Sequence, residues 1–350
     1  MTALAAPIGA GYRRAGLRRL ALIGCGVAVL TAAFVVDLAI GPGPYGLGDV
    51  LRALLGLAPG DVRLHVVVWD LRLPIAAMAV LAGAMLGLAG GAMQTILNNP
   101  LADPFTLGVS AAASVGASLA IAFGWGVVPG AGPLLVTMNA FAFALAASLV
   151  LFALTKLRGV NAETMILVGV ALLFTCNALL ALIQYRANET QLQQIVFWMM
   201  GSLARASFEK IAVCGAAFAG ALLLLLARGW ALTALRLGDE RAESMGVGVE
   251  RLRLEVLALV SLLAAISVAF VGAIGFVGLV GPHIARLTVG EDQRFFLPVA
   301  ALASAVILSL ASTLSKALTP GVIYPIGIIT ALIGVPFFVS LILAVRVRGA

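Results

Sequence analysis

The densest chemistry in the chain lies in "GDERAESMGVGVERLRLE", Gly238 to Glu255. Between Arg228 and Glu255 there are ten charged side chains, five of each sign. The flanking sequence is hydrocarbon, "CGAAFAGALLLLLARGW" before it and "VLALVSLLAAISVAF" after it. Staying in a membrane requires no such cluster. Asp239, Glu240, Arg241 and Glu243 sit on helix-compatible spacing. Ala242 and Met245 offer a small apolar contact, and methionine adapts to a partner's groove. Gly246 and Gly248 permit a sharp turn. The segment reads either as a docking surface for a soluble partner or as an ordinary solvated loop.

Other reactive groups are sparse. The lysines are Lys156, Lys210 and Lys316, and none follows a glycine, so the phosphate-cradling G-x-x-x-x-G-K-[ST] loop is missing. No H-E-x-x-H occurs, and no pair of intramembrane carboxylates is visible. A proton-coupled carrier buries a titrating group within its spans. Here every acidic residue lies near a span end or in a loop. His65 falls in an outer loop. His283 follows Pro282 and reads as a ring bonded to a neighbouring carbonyl, with a functional role as the alternative. Cys25, Cys176 and Cys214 are too scattered for a disulfide framework or a zinc site, and read as small hydrophobes.

These groups are carried by apolar elements. The chain of 350 residues is 62% hydrophobic and 11% charged, whereas soluble domains average about 25% charged residues. Apolar runs of about 20 residues recur throughout, which predicts transmembrane helices. Strand alternation, the mark of a barrel, is missing. The expected spans are 18–38, 73–97, 105–124, 133–154, 164–184, 207–227, 252–271, 275–289, 297–317 and 322–344. "LIGC" at 22–25 looks like a lipoprotein box, but the run before it is too short and continues through Val36, so the first helix is retained. With the N-terminus inside, 15 of the 22 Lys and Arg fall on the inner side. The outer seven are Arg52, Arg63, Arg72, Arg186, Arg205, Lys210 and Lys316. That bias puts both termini in the cytoplasm. The net charge of +7 follows from this topology and indicates no nucleic-acid partner. A large outer loop, 39–72, holds Pro42, Pro44, Asp49 and Asp61. A large inner one, 228–251, holds the charged segment.

Four long blocks resemble one family. They are "LRLPIAAMAVLAGAMLGLAGGAMQTILNNPLADPFTLGVSAAASVGA" (71–117), "VFWMMGSL" (196–203), "GAIGFVGLVGPHIARLTVGEDQRFFLP" (272–298) and "PIGIITALIGVPFF" (325–338). In this order they are similar to the FecCD-type permease subunits of ABC importers for siderophores, haem and cobalamin. The resemblance implies an all-α membrane protein with ten spans, the type II importer fold, in a bacterial inner membrane. It implies one permease domain over 1–350 with a cytoplasmic coupling segment at 228–251. The partners implied are a second copy forming a homodimer, two cytoplasmic ATPase subunits carrying ATP and Mg, and a periplasmic substrate-binding protein. The permease itself would be no enzyme and would hold no cofactor.

On this resemblance the ATPase docks on Asp239, Glu240, Arg241, Glu243, Ser244, Met245 and Gly246. Arg72 and Lys316, outer-side cations, would meet carboxylates of the binding protein, with interfacial snorkelling as the alternative. The family commonly has a second basic residue where Ile75 stands. Asn177 and Gln184, seven apart, share one helix face and read as path lining or dimer contact. Tyr185, Asn188 and Gln191 would face the outer mouth. "NNPLADP" at 98–104 reads as a structural turn, and "GAMLGLAGGAMQ" allows close helix approach. Tyr324 stands where the family often has Glu. An aromatic there can stack on a flat ligand and leans toward haem, with a ferric siderophore or cobalamin as alternatives. A secondary transporter working without an ATPase is the rival class.

Overall fold

The computed structural model describes residues 8–41, 43–57, 60–128, 130–319 and 321–348. Pro42 of the outer loop and the extreme termini, 1–7 and 349–350, lie outside the described residues. The chain is helical almost throughout. In order it forms α1 (Ile8–Ala39), α2 (Leu47–Leu54), α3 (Val62–His65), α4 (Leu73–Ile96), α5 (Val109–Phe123), α6 (Leu135–Arg158), α7 (Ala162–Arg186), α8 (Glu189–Met199), α9 (Phe208–Ala227), α10 (Gly229–Leu235), α11 (Asp239–Ser244), α12 (Val249–Val271), α13 (Val277–Val289), α14 (Gln293–Ala317) and α15 (Ile326–Arg348).

Among the described residues seven helical stretches are long and apolar enough to cross a bilayer. Three more apolar helices are shorter: Val109–Phe123, Val277–Val289 and Ile326–Phe337. All ten coincide with expected spans, although the shorter ones begin two to four residues later than expected. Pro104 opens a 3₁₀ turn, Pro104–Leu107, that delays α5. Phe276, at φ +68°, turns the chain immediately before α13.

The outer loop 39–72 departs from expectation, being largely helical. Its α3 runs through a π-helical stretch, Val66–Arg72, directly into α4. The second span thus belongs to a 35-residue helical run, Val62–Ile96. Pro74 has no N–H for the carbonyl of Asp70, and the helix widens just before it: the N–H of Leu73 reaches back to the carbonyl of Val68. Leu38, Val50, Ala53, Leu64, Val68 and Ala76 pack beneath this outer cap as a small core of their own.

The centre of the molecule is α4, α12 and α14. Their most apolar stretches are 72%, 67% and 61% buried, against 11% for α1 and 17% for both α7 and α9. Glycine sets the spacing there. A methyl on Gly83 would lie 2.6 Å from the Ser304 carbonyl oxygen, and Gly90 meets the backbone of Gly278 even more closely. Side chains at these positions would force α14 and α13 away from α4, so small residues carry the packing. The expected close approach of "GAMLGLAGGAMQ" is present.

Candidate functional site

Two regions concentrate polar side chains, one at each end of the helices. At one end, the inner one in the expected orientation, the charged segment folds as α10 and α11, two short helices joined through Gly238 (φ +101°). Ala242, Val247 and Val249 turn inward and are buried. Glu240, Arg241, Glu243, Ser244, Met245 and Gly246 are exposed. Ser244 Oγ donates to the Glu240 carbonyl at 2.8 Å, and Gly246 ends the turn at φ +85°. A cleft of about 710 Å³ beside this face is lined by Phe152, Glu243, Val247 and Arg251.

Two residues of the expected docking segment have partners within the chain. Asp239 accepts both ends of the Arg253 guanidinium, at 2.7 and 2.9 Å. Arg253, 4% exposed, also donates to the carbonyls of Ile96 (3.0 Å) and Val160 (3.3 Å). Asp239 is therefore an anchor: it pins α11 to α12, to the inner end of α4 and to the turn before α7. Ala242, expected as an apolar contact for a partner, is instead buried within the chain.

A second inner cluster ties α10 to the α13–α14 elbow. Arg236 holds Glu291 through two bonds, at 2.7 and 2.6 Å, and also reaches Asn98. Arg286 lies 3.0 Å from the same carboxylate and donates to Gln94 at 2.9 Å. Thr95 donates to Gln293 (3.1 Å), whose backbone N–H donates to Thr233 (3.1 Å). The Arg236 hydrogen bond, then the nearby positive charges, hold the Glu291 carboxyl below the usual glutamate range. Asp292 is likewise held low, first by its bond to Arg294. The turn 98–104 serves the same architecture. Asn99 accepts from Leu101 N–H (2.9 Å) and Asp103 from Phe105 N–H (2.8 Å), in keeping with its structural reading.

At the outer end the two expected rim cations are corrected: both are buried. Arg72 is 2% exposed and donates to the carbonyls of Leu38 (3.1 Å), Ala39 (3.0 Å), Tyr45 (3.2 Å) and Gly41 (3.2 Å). It serves the carbonyls that a helix end leaves without partners, closing α1. Lys316 pairs with Asp37 at 2.7 Å, with the side chains 3% and 0% exposed. Ser312 and Thr313 complete Asp37's shell, each at 3.0 Å. Snorkelling to the interface is thereby also corrected, since neither head group reaches it. Asp37 is one of the acidic residues near a span end. Its pairing could have been anticipated from depth alone, because the outer ends of the first and ninth spans meet at one level.

The four path candidates do not converge. Tyr324 lines an outer pocket of about 670 Å³, together with Phe197, Trp198, Arg205, Lys210 and Lys316. Asn177 and Tyr185 (86% exposed) stand instead on the open face of α7, among Leu167, Phe174 and Leu182. Gln184 is half-buried and contacts the Met199 sulfur at 3.6 Å. Asn188 and Gln191 form the capping box of α8, and Gln191 donates to the Ala122 carbonyl at 2.8 Å, so they hold structure where mouth-lining was expected. N-x-x-Q ahead of an apolar run was the available signal for α8. His283 meets Phe337 edge-on at 5.9 Å between ring centres, a contact its sequence neighbours do not foretell.

A bundle of apolar helices, with polar clusters at both ends and a charged pair of short helices on one side, defines a multi-pass membrane protein. The chain belongs to the FecCD transport family, which matches residues 29–344. It is 35% identical over 314 residues to a hemin transport system permease protein of Yersinia pestis, covering 89% of this chain and 93% of that one. It is 34% identical over 311 residues to a vitamin B12 import system permease protein of Serratia proteamaculans, covering 86% and 91%. A solved structure described as an inward-facing conformation of a metal-chelate type ABC transporter superposes with a TM-score of 0.79 at 31% identity, over 93% of this chain and 99% of that one.

Proposed function

We propose that this chain is the permease subunit of an ATP-driven importer in a bacterial inner membrane. It moves a large iron-containing ligand, haem in the first instance, from a periplasmic binding protein to the cytoplasm. Ten spans with both termini cytoplasmic form each subunit, and two copies enclose the path. ATP and Mg are bound and used by two partner ATPase subunits. These seat on Glu240, Arg241, Glu243, Ser244, Met245 and Gly246. Closure of the ATPase pair pushes α10 and α11 and rocks the bundle between inward- and outward-facing states.

The observation that carries this reading is the folding of the one charge-rich segment into two anchored short helices with an exposed face, within a chain matched by the FecCD family over 29–344. The relatives include permeases named for hemin and for vitamin B12, so cobalamin and ferric siderophores are the competing cargoes. Tyr324 in the outer pocket favours a flat aromatic ligand.

The test is uptake into vesicles holding this permease with its ATPase, with haem, cobalamin and a ferric siderophore compared. Haem uptake that needs both ATP and the binding protein is the expected outcome. Uphill transport by the permease alone would sink the importer reading, and preference for cobalamin would sink the haem assignment.

A further inference from the structure

The outer pocket is lined by three cations, two of them outside any ion pair among the described residues. Lys316 on its wall is neutralised by Asp37. Arg205 and Lys210, which also line it, take part in none of the ion pairs among the described residues. Lys210 Nζ donates to the Arg205 carbonyl at 2.6 Å, which holds the two cations together. A second feature is independent of charge. Trp198 is 4% exposed and lines the pocket, yet its indole Nε1 is buried without a hydrogen-bond partner. That nitrogen is closed off from the pocket, so the indole contributes ring surface to the lining and no donor. Phe197 and Tyr324 add aromatic surface. The volume, about 670 Å³, falls within the ordinary range for small-molecule sites.

We propose that this pocket is a staging subsite for the anionic end of the cargo. Arg205 and Lys210 take its carboxylate oxygens, and Phe197 and Tyr324 flank its ring system. Charge-assisted bonds to a carboxylate are the strong ones, and arginine and aromatic faces together suit a planar acid. The proposal rests on the importer reading above. The same cations facing carboxylates of the binding protein are the rival. A concave wall that includes a nearly buried indole favours a small ligand over a protein rim.

The probes are haem and haem dimethyl ester, which share a ring and differ in their carboxylates, alongside a ferric tris-catecholate and cobalamin. Each is titrated by absorbance against the intact permease–ATPase complex in lipid nanodiscs. The Arg205→Gln/Lys210→Gln double variant should bind haem at least about tenfold more weakly while binding the ester as the unaltered protein does. Arg205→Lys/Lys210→Arg should recover most of the loss, which separates charge from folding. A tris-catecholate bound in preference to haem, and lost in the double variant, would keep the anionic subsite and change its source. Equal haem binding by the double variant and the unaltered protein overturns the subsite, as does equal binding of haem and its ester by the unaltered protein. Loss of binding-protein association alone assigns the cations to docking and also overturns it. ATP- and binding-protein-dependent uptake by the unaltered protein is scored separately. It can persist when the subsite fails, and its failure leaves the binding titration readable.

Discussion

At the scale of single residues, the structure reverses the meaning of two cations. Arg72 and Lys316 carry charge at outer span ends, where sequence suggests exposure, but each is enclosed by partners brought from elsewhere in the chain. Lys316 and Asp37 form a buried pair, and removing one partner leaves an uncompensated charge at a cost of about 3–5 kcal/mol, whereas apolar replacement of both is often close to neutral. Lys316→Met should therefore lower the thermal stability of the detergent-purified protein sharply. Asp37→Leu/Lys316→Met should recover most of it. Equal melting of the single and double variants would show that the pair contributes no coupling.

At the scale of elements, α10 and α11 are held by polar contacts more than by their own length, since helices this short are marginal alone. Asp239–Arg253 fixes one and Arg236–Glu291 the other. Glu291 has its carboxyl depressed in the folded chain, so its contribution is present above the unfolded value and lost as pH falls through the folded one. Glu291→Gln should destabilise the protein at neutral pH, by about 1 kcal/mol or less because this carboxylate is partly exposed. The gap between variant and unaltered protein should close as pH drops below the usual glutamate range. Melting curves across pH check this, and a gap that stays constant would remove Glu291 from the network. The inner elements were partly legible: helix-compatible spacing and Gly246 marked a short helix and its end. Which acid of α11 would be held by the chain was not legible, because Asp239 and Glu240 are alike in type and differ only in whether Arg253 lies opposite.

At the scale of the whole molecule, α4, α12 and α14 form a packed centre, while α1, α7 and α9 leave apolar faces open to lipid or to a second copy. Polar contacts join α10 and α11 to that centre through Arg253, bonded to the end of α4, and through the elbow before α14. Gly246 sits at φ +85° with open space where a side chain would project. Valine there meets no clash within the chain but strains the turn by roughly 1–3 kcal/mol. Gly246→Val should leave ATP hydrolysis running while uptake falls. Gly248→Val, at an ordinary negative φ, should transport nearly as before. Normal uptake by Gly246→Val in reconstituted vesicles would remove the turn from the coupling path.

The sequence by itself determined the helical spans, the membrane class and the placing of one charged segment between two apolar runs. Hydropathy is a local property, and a backbone in hydrocarbon has to satisfy its own hydrogen bonds, so those features needed no distant partner. Folding alone fixes that Lys316 is neutralised by a residue 279 positions away, that Asp239 pairs with Arg253, and that Arg205, Lys210 and Trp198 line one pocket. The energy of a charge or a polar donor depends on what surrounds it, and in this chain those surroundings are assembled from helices far apart in sequence.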